Sequence, residues 1–457
     1  MTSIAEIPVA EAEHSAAELY EFVQRQARAR PLMIDDSPDG DGRQSLRVRP
    51  AGPATSLPAG LHRLLSDRPY PHGHVEESHP IHERVMATLA ASGPQRFEVR
   101  SAVNPHRAYP SAHCFFAAQV FVLIGDSAWH FDSVNHQLIQ VTEPPSDFID
   151  SVKAHGGASL VVAAHLGSIA ERYRELRWAL SLCEAGHLGE LLTQVGRAHG
   201  FSVRNRSIND DDALLDHLGL AAADGWMMTG VIDLGDSDPA VLETSTGSPQ
   251  QRGPSPVADS DRDWESILFH RSAGQVNKGL TCVPDPLPPG SLESVGRALS
   301  EVVGVTPEAS EGGLDIYLVS QNAAEVEPGL YRLSDRGRWE LRESSGGMDV
   351  IQRAFHYPVT QMSVISCQAA LFFVHDHEAQ LKVSQPNQLR RCQVELGAAA
   401  QSAGFAMSAV DGFLRPARSF NPDLISHEFK LPSGQLPGYL ALLGVGRYRD
   451  LVLDVRP

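Results

Sequence analysis

The clearest hydrophobic pattern in the chain is an uninterrupted apolar run, Phe115-Phe-Ala-Ala-Gln119-Val-Phe-Val-Leu-Ile124, entered from the polar turn Arg107-Ala-Tyr-Pro110-Ser111-Ala112-His113. A proline-fixed turn feeding such a run predicts a loop that opens directly into a buried strand. A second apolar run, Ala158-Ser-Leu-Val-Val-Ala-Ala-His165, reads as a buried strand or helix. From Trp178 to Val195 the apolar residues recur at helical spacing, with Gly186 in the middle. Glycine there costs about 1 kcal/mol of helix propensity relative to alanine, and close packing at a helix pair is the compensation expected. Gly200 fits the helix's C-terminal cap, and Trp226 to Gly235 reads as a final core strand.

Polar segments divide the chain. Residues 9 to 29 suit a surface helix, 35 to 60 are rich in Asp, Gly and Pro and read as a loop, and Leu61 to Leu65 as a short helix. Residues 236 to 262 lack large apolar groups and read as a linker. Beyond them the order of elements returns. Ala128-Trp-His-Phe pairs with Leu330-Tyr-Arg-Leu, each after an apolar strand (Val120 to Ile124, Ile316 to Val319). Gly200-Phe201 is matched with Gly404-Phe405, and Val231 to Gly235 with Leu440 to Gly444. The expected division is an extension over 1–58, one repeat over 59–235, the linker over 236–262, and a second repeat over 263–457.

Composition narrows the class without naming a function. The 457 residues, 42% hydrophobic and 21% charged, can bury a sizeable core in more than one domain. A formal charge of −18 argues against nucleic acid or an anionic membrane surface as the main partner. Five scattered cysteines without CxxC spacing suggest neither a disulfide framework nor a zinc site, so a reducing cytoplasm is expected. No signal-like N-terminus and no bilayer-length apolar run is present. His72, His74, His79 and His82 with Glu76 and Glu77 are the densest set of metal-type side chains, but Pro71 and Pro80 interrupt any helix that would align them. They read as a solvated loop, with no metal expected. The sequence has no GxGxxG after a strand, no Walker loop and no GxSxG elbow.

After the Pro110-Ser111-Ala112 loop come Glu171-Arg172-Tyr173-Arg-Glu-Leu-Arg177-Trp-Ala-Leu, then Glu184-Ala-Gly-His187, Asn209-Asp-Asp-Asp212 and Leu218-Gly-Leu220. This order resembles the SagB-type members of the flavin-dependent nitroreductase superfamily, over roughly residues 60 to 235. The Arg-Trp-Ala-Leu form of the helix motif and the tandem repeat look most like azoline dehydrogenases of thiopeptide-type pathways. The resemblance implies an α+β fold: two fused nitroreductase-like repeats, each a mixed or antiparallel sheet flanked by helices, forming an intramolecular pseudo-dimer. It implies FMN as cofactor, with Pro110, Ser111, Ala112 and His113 touching the flavin. Its phosphate would be held by an Arg-Arg-Ser-like turn from the other repeat, seen here as His270-Arg271-Ser272, with Arg447 and Arg449 supplying further positive charge. Without the family, His270-Arg-Ser reads as an ordinary polar helix start. The first repeat's version of that turn is only Asp67-Arg68-Pro69, and the second repeat's Pro-Ser loop has become Thr306-Pro307-Glu308. The surviving halves are complementary, so one working site per chain and one vestigial site are expected.

The implied activity is oxidation of peptide thiazolines or oxazolines to thiazoles or oxazoles in the maturation of ribosomally made peptides. The implied partners are a precursor peptide and a cyclodehydratase or leader-peptide-binding protein, with the chain a monomeric pseudo-dimer or a homodimer. Azoline oxidases often carry a Lys-Tyr pair; Arg172-Tyr173 is the nearest match, and arginine stays protonated. Tyr173 is a base only if Arg172, Arg174 and Arg177 lower its pKa. His113 and His187 are the other candidates, the latter also suited to a packing role. A flavin-free scaffold binding a precursor peptide or a partner enzyme is the alternative, and a different flavin reaction a third.

Overall fold

The computed structural model describes residues 54–56, 80–98, 106–124, 126–142, 158–206, 212–220, 222–236, 263–274, 280, 282–303, 314–344, 347–376, 386–446 and 452–454. The expected helix over 9–29, Leu61 to Leu65, Asp67-Arg68-Pro69, His72, His74 and His79, residues 209–211, the linker past Asp236, Thr306-Pro307-Glu308, Arg447 and Arg449 lie outside them.

The first repeat contains β1 (Ala54–Ser56), α1 (Pro80–Ala90), β2 (Pro94–Glu98), β3 (His106–Arg107), β4 (Ala118–Ile124), β5 (Ser127–Asp132), β6 (Gln137–Thr142), β7 (Ala158–His165), α2 (Leu176–Ala198), β8 (Phe201–Arg206), α3 (Asp212–His217) and β9 (Trp226–Asp236). The second contains α4 (Trp264–His270), α5 (Ser291–Val303), β10 (Asp315–Ser320), β11 (Gly329–Leu333), β12 (Trp339–Glu343), α6 (Met348–Ala354), β13 (Ala369–Asp376), α7 (Pro386–Ala409), β14 (Gly412–Ala417), α8 (Pro422–Glu428), β15 (Gln435–Val445) and β16 (Val452–Asp454). One sheet runs β1-β6-β5-β4-β7-β9-β8 and the other β12-β11-β10-β13-β15-β14. Apart from the edge strand β1, which forms inside the stretch 35–60 expected to be a loop, the two orders coincide. Among the described residues their strand pairs are all antiparallel, one of the two arrangements expected for two fused α+β repeats.

Strand alternation explains why the middle strands are apolar at every position. In β7, Leu160, Val162 and Ala164 join the core beneath α2, while Val161 and Ala163 join Phe121 and Leu123 in a second core against Leu214, Leu215 and Leu218. In β13, Leu371 and Phe373 face α7, whereas Phe372 and Val374 face a core closed by α6 and α8. With both faces covered, these strands read as continuous apolar runs.

Between the sheets, α2 and α7 cross in direct backbone contact. A methyl group added at Gly186 would overlap the Val394 carbonyl, and one added at Gly397 would overlap the Cys183 carbonyl. The two glycines occupy matching places at the crossing, so the pseudo-twofold passes between them. The cores interpenetrate there: Leu389 and Phe405 of α7 pack into the first repeat's core and Cys183 of α2 into the second's. Ser402 donates to Glu190 across the crossing at 2.7 Å, and that carboxylate also accepts from Gln194. Farther out, β16 near the C-terminus pairs with β2 of the first repeat, in the small sheet β16-β2-β3.

Gly200 caps α2 as expected, with φ +80° and its N–H on the Arg197 carbonyl. Its counterpart is not Gly404. Helix α7 runs on through Gly404-Phe405 to Ala409, and Asp411 at φ +60° makes the matching turn before β14. The small residues of α7 serve close packing rather than helix termination. The registers of β8 with β9 and of β14 with β15 do align Gly235 with Gly444.

The crossing supplies a direct test. Gly186→Ala or Gly397→Ala should each destabilise the protein by roughly 1–3 kcal/mol or more through overpacking. Gly189→Ala on the same helix, where an added methyl meets nothing within 4 Å, should be neutral or stabilising by up to about 1 kcal/mol. Thermal melting of the three variants reads the difference, and equal melting points would rule out a backbone-limited crossing.

Candidate functional site

The loop before β4 is held in an unusual shape. His113, Cys114 and Phe116 all have positive φ, at 45°, 54° and 50°. Left-handed geometry at non-glycine residues costs roughly 1–3 kcal/mol each and persists only where the surroundings over-determine it. Here the fixing group is Glu184, in the buried stretch of α2. Ser111 Oγ donates to Glu184 Oε2 at 2.5 Å, the Phe116 N–H donates to Ser111 Oγ at 2.9 Å, and the Ala118 N–H donates to Glu184 Oε1 at 2.9 Å. The loop is thus clamped onto a carboxylate from the central helix.

Burial pushes the Glu184 pKa up to about 7, although the bonds from Ser111 and Ala118 and the charge of Arg107 all oppose the rise. The two protonation states reverse one hydrogen bond. When Glu184 is ionised, the Ser111 hydroxyl must donate to it; when Glu184 carries a proton on Oε2, that proton is donated to Ser111 Oγ and the hydroxyl hydrogen is released toward the loop's outer side.

The second repeat delivers a cation to the same loop. Helix α4, capped by Asp263 on the Ser266 N–H, ends at His270, so His270-Arg271-Ser272 is a helix exit and not a helix start. His270 turns back on its own helix, its Nδ1 2.8 Å from the Ser266 carbonyl. Ser272 closes a local turn, accepting from the Gly274 N–H while its carbonyl accepts from Leu414. Arg271 alone of the three crosses to the first repeat: Nη2 donates to the Arg107 carbonyl at 3.0 Å. It is only 7% exposed, and its Nε and Nη1 have no partner among the described residues. Burial and the neighbouring Arg96 push its pKa down to about 10, and its charge reaches Cys114 and His187. Two orphaned, buried guanidinium N–H groups beside a strained loop ask for an anion.

Arg96 of β2 anchors this exit, donating to the carbonyls of Phe269 and Arg271 while paired with Glu98. Gln401 of α7 donates to the Ala108 carbonyl at 2.9 Å. Arg107 lies 3.9 Å above the Phe116 ring and donates to the Tyr109 hydroxyl.

The other sequence candidates divide. His113 is exposed on the loop, stacked on Phe115 and edge-on to Tyr173, with Pro110 and Ala112 half-buried beside it. Tyr173 also packs on Phe115, and Arg172 lies 5.9 Å from its ring. The lowering of the Tyr173 pKa that a base role requires does not occur: burial and Tyr357 raise it, and Arg172 only partly offsets them. His187 is fully buried, Nε2 3.0 Å from the Tyr439 hydroxyl of the second repeat, and burial pushes its pKa down to about 3. It ties the repeats together with a neutral ring. Glu184, Gln401 and Tyr439 were not singled out from sequence. Glu184 is legible only as part of the Glu-Ala-Gly-His helix, because its partners lie 66 and 73 residues away.

No protein-family model matches the sequence, and no curated protein matches it. Among solved structures, a protein described as a nitroreductase from Anabaena variabilis superposes with TM-score 0.70 at 14% identity, over 95% of this chain and 100% of that one. The likeness spans both repeats and shows the chain to have a tandem nitroreductase fold. A second protein described as a nitroreductase, from Ralstonia eutropha, covers 43% of this chain and 97% of its own at 18% identity and TM-score 0.30. The E. coli microcin synthetase McbBCD complex with truncated pro-MccB17 bound covers 49% of this chain and 93% of its own at 16% identity and TM-score 0.29. Among the described residues, no helix is long and apolar enough to cross a membrane.

The buried carboxylate gives a pH signature. Its folded pKa of about 7 lies above the ordinary 4.5, so the folded state binds the proton more tightly than the unfolded chain. The resulting stabilisation is present below about pH 4.5 and is lost as pH rises through about 7. Glu184→Gln keeps both contacts, its amide oxygen accepting from Ala118 and its N–H donating to Ser111 Oγ as the protonated acid does, and lacks the titration. The stability of wild type relative to this variant should therefore fall between about pH 5 and about pH 8, by on the order of 3 kcal/mol. Denaturant melts at the two pH values measure it, and a constant gap would show that Glu184 does not titrate there.

Proposed function

We propose that the chain is an FMN-dependent oxidoreductase with one site between its repeats, and that its substrate is a peptide azoline ring, dehydrogenated to the azole. The observation that carries this reading is Arg271: a buried guanidinium with two unsatisfied N–H groups, delivered by one repeat to the Pro110-Ser111 loop of the other. A phosphate monoester fits that donor set, since each phosphate oxygen accepts charge-assisted bonds. Ser111, Ala112 and His113 then border the flavin, and Arg447 and Arg449 are the further basic residues assigned to the phosphate. When bound, FMN supplies the acceptor for the hydride that leaves the ring.

The chain must take the accompanying proton. Tyr173 holds its own proton more tightly than usual, Arg172 stays charged, and His187 is sealed against Tyr439. The Ser111–Glu184 pair fits the task best. Ser111 Oγ accepts the proton from the substrate side as its own hydrogen passes to Glu184, whose pKa near 7 suits exchange at neutral pH. His113, exposed at the loop, is the residue that borders substrate. A precursor peptide is the expected partner, with a cyclodehydratase or leader-peptide-binding protein to present it, and an acidic chain of −18 favours a peptide that is neutral or basic.

Flavin content and chemistry are separable. The purified chain should carry about one FMN, and Arg271→Ala should weaken its binding roughly 10- to 100-fold. Glu184→Gln should retain FMN yet slow bleaching of the flavin by a thiazoline-containing peptide, without oxygen, on the order of 100-fold. No flavin after reconstitution would move the reading to a scaffold that binds peptide or partner without redox chemistry. Bound flavin that no azoline peptide bleaches would leave a flavoenzyme with another substrate.

A further inference from the structure

The two-repeat symmetry has a second position equivalent to the Ser111–Glu184 clamp, and its chemistry differs. Glu395 stands two residues before Gly397, as Glu184 stands two before Gly186. Among the described residues, His375 and Cys392 lie beside Glu395. One ligand atom from each of the three lies within 4.8 Å of the others. His375 occupies the place in β13 that Ala164 occupies in β7, the last residue but one of each strand. Alternation turns it to the α7 side with Leu371 and Phe373. Cys392 and Glu395 are spaced i, i+3 on α7, which stacks them on one face.

We infer that His375, Cys392 and Glu395 form a binding site for a divalent transition metal of the zinc class, beside the second repeat's central helix. Imidazole, thiolate and carboxylate are the three donor types that Zn²⁺ accepts together, and three protein ligands leave one coordination position open. His375 is 3% exposed and neither ring nitrogen completes a hydrogen bond of good geometry among the described residues, although the Cys392 backbone approaches the ring. A buried imidazole that lacks well-formed hydrogen bonds is costly unless something coordinates it. Cys392 is 2% exposed and outside any disulfide.

The charges that face the cluster are mixed. Arg418 acts on His375 and Arg391 on Glu395, while Asp315 offsets Arg418. A thiolate and a carboxylate would neutralise a divalent cation, so a loaded site adds no net charge to this surrounding. The site is separate from Ser111, Glu184 and Arg271 and does not depend on the proposed flavin chemistry. A metal here would staple β13 to α7, the strand and helix that carry the second repeat's core.

The test uses the full chain, stripped with a chelator and titrated with Co²⁺ alone. One Co²⁺ per chain is expected, with a thiolate-to-cobalt charge-transfer band in the near ultraviolet. Cys392→Ser should abolish the band, and His375→Ala and Glu395→Gln should each weaken binding by about tenfold or more. Flavin content should be the same in Glu395→Gln as in wild type, which keeps this result apart from the fate of the flavin reading. Should Cys392→Ser or His375→Ala fail to fold, Glu395→Gln and the wild-type band still decide the matter. Absence of cobalt binding in the stripped wild type, or a band that survives Cys392→Ser, would overturn the site.

Discussion

Everything in this molecule is hung on the backbone contact between α2 and α7. Helices ordinarily pack about 8–10 Å apart, with side chains filling the gap. At Gly186 and Gly397 the gap closes until carbonyl groups of one helix occupy the space a methyl would need on the other. Two consequences follow. Each repeat's core reaches into the other, so neither buries its central helix alone. Loops from one repeat are also brought within bonding distance of residues from the other, as Gln401 to Ala108 and Arg271 to Arg107 demonstrate.

The same helix contact determines where chemistry can sit. Glu184 is two residues before the crossing glycine and bonds to the loop before β4, so it is fixed in position yet surrounded by apolar groups. That environment raises its pKa and leaves its oxygens in need of donors. The Ser111 hydroxyl and the Ala118 amide answer the need, and the loop between them is drawn into left-handed geometry it would not adopt alone. Strain in the loop and the buried carboxylate are therefore two sides of one arrangement. Arg271, arriving from the second repeat, adds positive charge at its edge with two N–H groups still unsatisfied among the described residues.

The sequence was most readable where the determinants are local. Apolar runs located β4, β9, β10 and β15 and marked β7 as a buried strand or helix, since strands covered on both faces cannot alternate. The repeat order was legible through strand spacing, and Gly186 through its cost in a helix. The match failed at Gly404, because a glycine beside a phenylalanine looks like a helix end. In α7 the surrounding alanines let another helix approach, and the true turn is made by Asp411, which no local rule favours over glycine. Contacts between distant residues left no trace in the order of residue types. Tyr173 lay in a cluster of arginines and so looked activated. Burial between Phe115, His113 and Tyr357 sets its proton affinity instead.

A fused pair has a freedom that two identical chains lack. In a symmetric dimer every substitution appears at both sites, so the loop and the carboxylate beneath it must change together in both places. Fusion keeps the helix crossing, which both halves need, and releases the sites from one another. Gly186 and Gly397 retain the constraint, and both helices retain the glutamate two residues earlier. Around those glutamates the repeats have parted: serine and backbone amides on one side, histidine and thiol on the other. A carboxylate held at a rigid crossing is costly to leave unpaired, so its surroundings have to supply donors, a proton or a cation. The second repeat sets an imidazole and a thiol beside its glutamate, three groups that a single cation would satisfy at once.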